Sequence, residues 1–127
     1  MKLEQIASYL ESKFPSLQFG SNLFINQMPS YAKTAIVLKD AVASAEIDGE
    51  APPQRAGQFQ LYAKGEDYLS LKNFAIDISD ALSLYNHSLQ DIYILMLRPL
   101  NEPQVKMLSN GSSCELCINF FIKYAIV

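Results

Sequence analysis

Apolar residues recur along this chain with two different periods, and the switches between them mark out its elements. Leu3, Ile6, Ala7, Leu10 and Phe14 fall on one stripe at helical spacing, with Lys2, Glu4, Gln5, Ser8, Glu11 and Ser12 on the opposite face. This predicts a surface helix over residues 3–14, ended by Pro15, which restricts its predecessor and has no backbone N–H to donate. The period then shortens. Residues 22–28 read as a short strand closed by Pro29, and residues 35–40 (AIVLKD) as a second strand, β-branched in its middle. Residues 58–64 (QFQLYAK) alternate cleanly, with Phe59, Leu61 and Ala63 on one side and Gln58, Gln60 and Lys64 on the other.

The helical period returns after Gly65. Leu71, Phe74, Ala75, Ile78, Leu82 and Tyr85 make an apolar stripe, while Lys72, Asn73, Asp77 and Asp80 fall elsewhere. Glu66 and Asp67 supply an N-cap and negative charge at the positive end of the helix dipole. The pattern predicts a helix running from about residue 67 to 85, ended by an Asn86-His87-Ser88 turn. Residues 91–97 (DIYILML) are apolar on both parities, the mark of a strand covered on both faces. A loop bounded by Pro99 and Pro103, a weak strand at 104–108 and a Ser109-Asn110-Gly111-Ser112 turn follow. In the last strand, residues 114–126, Leu116, Ile118, Phe120, Ile122, Tyr124 and Ile126 form an unbroken apolar face. Cys117, Asn119, Phe121, Lys123 and Ala125 form a mixed one.

The order of these elements implies an α+β fold. Its sheet is mainly antiparallel, of four to five strands, and is packed by two helices. The 127 residues suit a single domain, and with 50% hydrophobic residues the chain can bury a substantial core.

One segment fits no regular element. Residues 41–57 (AVASAEIDGEAPPQRAG) are long for a connection and rich in small residues. Strand-like stretches on either side of Asp48-Gly49, a strong two-residue hairpin signal, favour an extended hairpin arm with that pair at its tip. Glu46, Asp48, Glu50 and Arg55 are its candidate interface residues, because charges on an otherwise plain arm can fix register between subunits. The plainer alternative is a solvated loop.

Charge narrows the possible functions. A net charge of −3, a pI near 5 and the lack of any Lys/Arg run leave no global basic field for nucleic acid, so no sequence-specific nucleic-acid partner is expected. The N-terminus lacks the basic-then-apolar plan of a signal peptide, and no apolar stretch approaches the roughly 18–20 residues that span a bilayer. The expectation is a protein made in a cytoplasm, with no membrane partner and with both cysteines as free thiols.

Candidate chemistry is sparse. Cys114-Glu115-Leu116-Cys117 has C-x-x-C spacing, but on a strand the two thiols point to opposite faces, and His87 is the one histidine available to complete a metal site. His87 could act as a base only with an orienting carboxylate such as Asp91, and in a turn it reads as a solvated residue. Asp77 with Asp80, and Glu66 with Ser70, could share helix faces but read as a solvated surface. Glu46-Ile47-Asp48-Gly49-Glu50 lacks calcium-loop spacing, and no phosphate loop, nucleophile elbow or zinc-protease motif is present. The chain is therefore expected to be no enzyme and to need no cofactor or metal.

From Pro52 onward the order of features resembles the phage minor capsid and tail-terminator family. The resemblance lies in Pro52-Pro53-Gln54-Arg55-Ala56-Gly57, Phe59-Gln60-Leu61, Gly65-Glu66-Asp67-Tyr68, Ala81-Leu82, the Pro99-to-Pro103 loop, and Asn119-Phe120-Phe121 leading to Tyr124. Lys64 stands where the family usually has Arg before the Gly. The resemblance implies a compact α+β subunit of a homohexameric ring at the head-proximal end of a phage tail tube, assembled in the host cytoplasm. Such a ring ends tube growth and joins the tube to the neck, so its partners are copies of itself, the tail tube protein and a neck or connector protein. It also implies that a sheet edge and the arm clasp neighbours. Two other readings stay open: another head–tail joining or tail-completion protein, or a small cytoplasmic ligand-binding domain with an enclosed pocket beneath the second helix.

Overall fold

The computed structural model describes residues 3–30, 32–40, 54–107 and 113–126, and the backbone of 46–47. Its class is α+β, as the periodicities require. The elements run α1 (Leu3–Lys13), β1 (Leu23–Ile25), β2 (Ala35–Asp40), β3 (Glu46–Ile47), β4 (Gln54–Gly65), α2 (Tyr68–Ala81), β5 (Leu84–Leu89), β6 (Ile92–Pro99), β7 (Gln104–Met107) and β8 (Cys114–Ile126). The sheet is larger than the four to five strands expected, with eight among the described residues. Its main path is β1-β2-β4-β8-β6-β5, while β3 joins β4 and β7 joins β8 off that path. All pairs are antiparallel except β1 with β2.

Two long strands form the spine. β4 and β8 pair continuously from Gln54 opposite Ala125 to Gly65 opposite Cys114, a ladder about 40 Å long. Shorter strands share their outer edges. On β4, β2 takes residues 59–64 and β3 takes 55–56. On β8, β6 takes 120–126 and β7 takes 114–117. The gap between β6 and β7 is closed by Asn101. Its Oδ1 accepts the Asn119 N–H at 2.8 Å, its Nδ2 donates to the Glu102 and Cys117 carbonyls, and the Leu100 N–H donates to the Asn119 carbonyl at 2.7 Å. A side chain here replaces ladder bonds that the looping backbone cannot make.

Both helices cover the same face of this sheet. Leu3, Ile6, Ala7 and Leu10 of α1, and Leu71, Ala75, Ile78 and Leu82 of α2 and its C-cap, join Leu61, Ile94, Leu116, Ile118, Phe120 and Ile122 in one core. Phe59 and Phe120, partners across the β4–β8 ladder, stack 5.1 Å apart at its centre. Asp67 caps α2 as expected, accepting the Ser70 N–H at 3.1 Å.

The second helix is shorter than its apolar stripe suggested. It ends at Ala81, and the segment read as a turn, Asn86-His87-Ser88, lies inside β5. The true turn is Gln90-Asp91, since Leu89 pairs with Ile92. Asn86 takes a left-handed conformation (φ 50°), and pairing of β6 with β8 slips across Leu95, so the strands carry a bulge there. The bulge leaves Leu84, His87 and Leu89 facing the helices, a 3-then-2 spacing that hides the strand period. His87 is accordingly half-buried, edge-on to Tyr9 of α1 at 5.5 Å, and not a solvated loop residue. The first strand is also shorter than the 22–28 expected, because Asn26 turns left-handed (φ 64°) and fastens to the end of β2, its Oδ1 accepting the Asp40 N–H at 3.0 Å.

Candidate assembly surfaces

Of the segment expected as an arm, residues 41–57, positions 41–45 and 48–53 lie outside the described residues. Glu46 pairs with Ala56 and Ile47 with Arg55, so a β3–β4 hairpin exists. Its returning limb is no free projection, for Gln54–Gly57 are zipped onto β8 opposite residues 122–125. The Asp48-Gly49 pair expected at its tip lies outside the described residues. Of the four candidate interface residues, Asp48 and Glu50 lie outside the described residues, and Glu46 is described by its backbone pairing alone. Arg55 is half-buried, stands opposite the buried Tyr124, and donates from Nη1 to the Gln54 carbonyl at 3.1 Å. The structure does not gather these four into one described cluster.

The C-x-x-C thiols fall on opposite faces, as strand geometry demands. Cys114 is buried under the helices, and Cys117 is half-buried on the other side, where burial pushes its thiol pKa up against the opposing pull of Lys39. Asp77 and Asp80 are exposed on α2, and Glu66 leaves the capping of Ser70 to Asp67. Among the described residues no group of three or more His, Cys, Asp or Glu is placed to hold a metal ion, and no helix is long and apolar enough to cross a membrane. Leu71, Ala75 and Ile78 pack into the core beneath α2, each at most 5% exposed, and an open pocket of about 430 Å³ lined by Gly65, Leu71 and Phe74 lies at its N-terminal end.

What the structure assembles instead is a pair of unlike surfaces. On the sheet face away from the helices, cross-strand partners carry polar and aromatic side chains. Gln60 Nε2 donates to Asn119 Oδ1 at 3.2 Å, and the Tyr62 hydroxyl donates to the Glu115 carboxylate. Partial burial, followed by that bond and the carboxylate's charge, pushes the Tyr62 pKa up to about 12. Lys39 lies over the Tyr62 ring at 4.7 Å and Arg98 over Phe121 at 5.8 Å. Among the described residues, a loop covers one end of this face, where Met28 and Ala32 pack on Phe24, Ala35 and Val37.

The outer side of the helix layer is different. Leu69 and Ile76, seven residues apart on α2, are 64% and 39% exposed, and Leu100 is 41% exposed. Ile76 and Leu100 line an open groove of about 790 Å³ between α2 and the 99–103 loop, with Lys72, Asp80 and Glu102 at its border. Sequence patterning missed both surfaces, because each is contributed by positions far apart in the chain. The signal available was the parity of the cations on the strands.

No protein-family model matches the chain. No curated protein matches it either. Among solved structures, a chain of the virion of a native gene transfer agent particle shares the fold, with a TM-score of 0.68 at 13% identity over 94% of each chain. A second solved chain overlaps 98% of this one and 89% of itself at 13% identity, with a TM-score of 0.49.

Proposed function

We propose that this chain is a non-catalytic structural protein of a phage-like virion, and within that class a tail terminator. Six copies would close into a ring on the head-proximal end of a tail tube, stop its growth and offer the neck a docking surface. The observation that carries the reading is the agreement in fold, over 94% of both chains, with a chain of a gene transfer agent virion. The order of sequence features from Pro52 to Tyr124 supports the finer role, and so do two chemically unlike surfaces on opposite sides of the molecule. A closed ring is built from head-to-tail contacts, and these require two different patches on each subunit.

The test is tube assembly in vitro from the cognate tail tube protein, followed by electron microscopy. With the full chain present, tubes should stop growing and carry a six-fold ring at one end. Tubes that elongate unchecked, with no added density at either end, would overturn the terminator role.

A further inference from the structure

The chain is acidic as a whole, but its charge is sorted by layer. Strand register places Lys39, Lys64, Arg98, Lys106 and Lys123 on the sheet face away from the helices, against Glu115 and the position of Glu46, which pairs with Ala56 beside Lys123. Glu115 is engaged by the Tyr62 hydroxyl and stands between Lys64 and Lys106 in register. Interleaved with these cations lie half-buried Phe121, Met96 and Tyr93 and, on the edge strand β5, the exposed Tyr85. The helix layer has the opposite sign. On α2 and its approach, Glu66, Asp67, Asp77 and Asp80 stand against Lys72 alone, on the same helix that exposes Leu69 and Ile76.

Each surface thus interleaves apolar groups with charges, and the net charges of the two are of opposite sign. We infer that the helix-free sheet face of one copy docks on the outer α2 surface of the next, its basic charges against the acidic ones of α2. This rests on the ring reading above and assigns its subunit contact. The occupant is a second copy, because the complement to each surface is carried by the same chain on its other side, as a head-to-tail interface requires. The area is sufficient: five strands by about eight residues is on the order of 700 Å², close to the roughly 800 Å² per partner of a standard interface. Arg98 and Lys39 are laid against aromatic rings, so part of the ordering of their long side chains precedes contact.

Charge exchange tests this. One variant carries Arg98→Glu with Lys123→Glu on the sheet face; another carries Asp77→Lys with Asp80→Lys on α2. All four positions are exposed, and lysines in the C-terminal half of α2 suit the helix dipole, so circular dichroism should confirm native folds. Ring formation on tail tubes is followed by electron microscopy and analytical ultracentrifugation. Each variant alone should associate roughly a hundredfold more weakly, because like charges then meet across the interface. An equimolar mixture of the two, in which opposite charges meet again at every contact, should recover rings, and so should a single chain carrying all four changes. If both variants form rings as the unmodified chain does, or if mixing restores nothing, the assigned contact is wrong while the ring reading stands. Should the unmodified chain form no ring, both fall. A labelled DNA oligonucleotide is run in parallel. If the sheet-face variant loses DNA binding yet keeps its rings, that face serves nucleic acid and the inference is overturned.

Discussion

The two faces of β8 come from one strand and differ by a single step of the chain, yet they meet different surroundings. Cys114, Leu116, Ile118, Phe120, Ile122 and Tyr124 are all at most 4% exposed beneath two helices. Glu115, Cys117, Asn119 and Phe121 are half-buried, with no helix above them. The first face stabilises the fold by removing apolar surface from water. The second holds polar and charged groups in fixed cross-strand positions, which contributes little to folding and leaves them available for a partner. Neighbouring positions on one strand can therefore serve stability and assembly separately.

Truncating adjacent phenylalanines probes this directly. Phe120→Ala should cost about 3–5 kcal/mol, because Phe120 is fully buried and stacked on Phe59. Phe121→Ala should cost about 1 kcal/mol, since the half-buried ring loses less burial and one cation contact. Equilibrium urea unfolding measures both, and equal losses would break the contrast between the faces.

A smaller effect is expected where the β8 ladder is completed by a side chain. Asn101→Ala removes the acceptor of the Asn119 N–H and should cost about 1–3 kcal/mol. Faster amide exchange at Asn119 than at Phe120 would locate the loss, and unchanged exchange there would show that another acceptor replaces Asn101.

The polar face should also respond to alkali. Folding raises the Tyr62 pKa from 10.0 to about 12, so the folded state holds this proton more tightly than the unfolded one. The associated stability is fully present below pH 10 and is lost as pH rises toward 12. Tyr62→Phe should remove this component, flattening the fall of melting temperature across that window. An unchanged slope would mean that other groups dominate. At the acid end, the Ser70 hydroxyl and N–H hold the Asp67 carboxyl below the usual carboxylate range. That cap contributes above the ordinary carboxylate pKa and is lost as pH falls through its folded value. Asp67→Ala should therefore lower the melting temperature slightly at neutral pH and converge with the unmodified chain in acid. This is the smallest of the expected effects.

Where the sequence was legible, local period and tertiary environment agreed. Residues 35–40 and 114–126 form strands over the spans their patterns indicate, α1 ends one residue before Phe14, and Asp67 is the cap. Reading failed where a long-range partner overruled a local pattern. Leu82 and Tyr85 continue the α2 stripe at helical spacing, yet residues 84–89 pair with β6, and left-handed Asn86 with the bulge at Leu95 erases their alternation. Gln54–Gly57 read as the strand-like limb of a projecting arm, because Gly and Ala say nothing of the β8 residues that pair with them. The candidate assembly surfaces were hidden for a related reason. A net charge of −3 averages a basic sheet face and an acidic helix layer into one number.

The sequence by itself determined the class of fold, the two helices, the apolar face of β8 and the separation of Cys114 from Cys117. These follow from periods of 3.6 and 2, which depend only on backbone geometry. Tertiary structure alone decided that the sheet has eight described strands, that both helices lie on one side, and that five scattered cations share the other. Those outcomes depend on which strands pair, and pairing is a contest between segments far apart in the chain that no local period records.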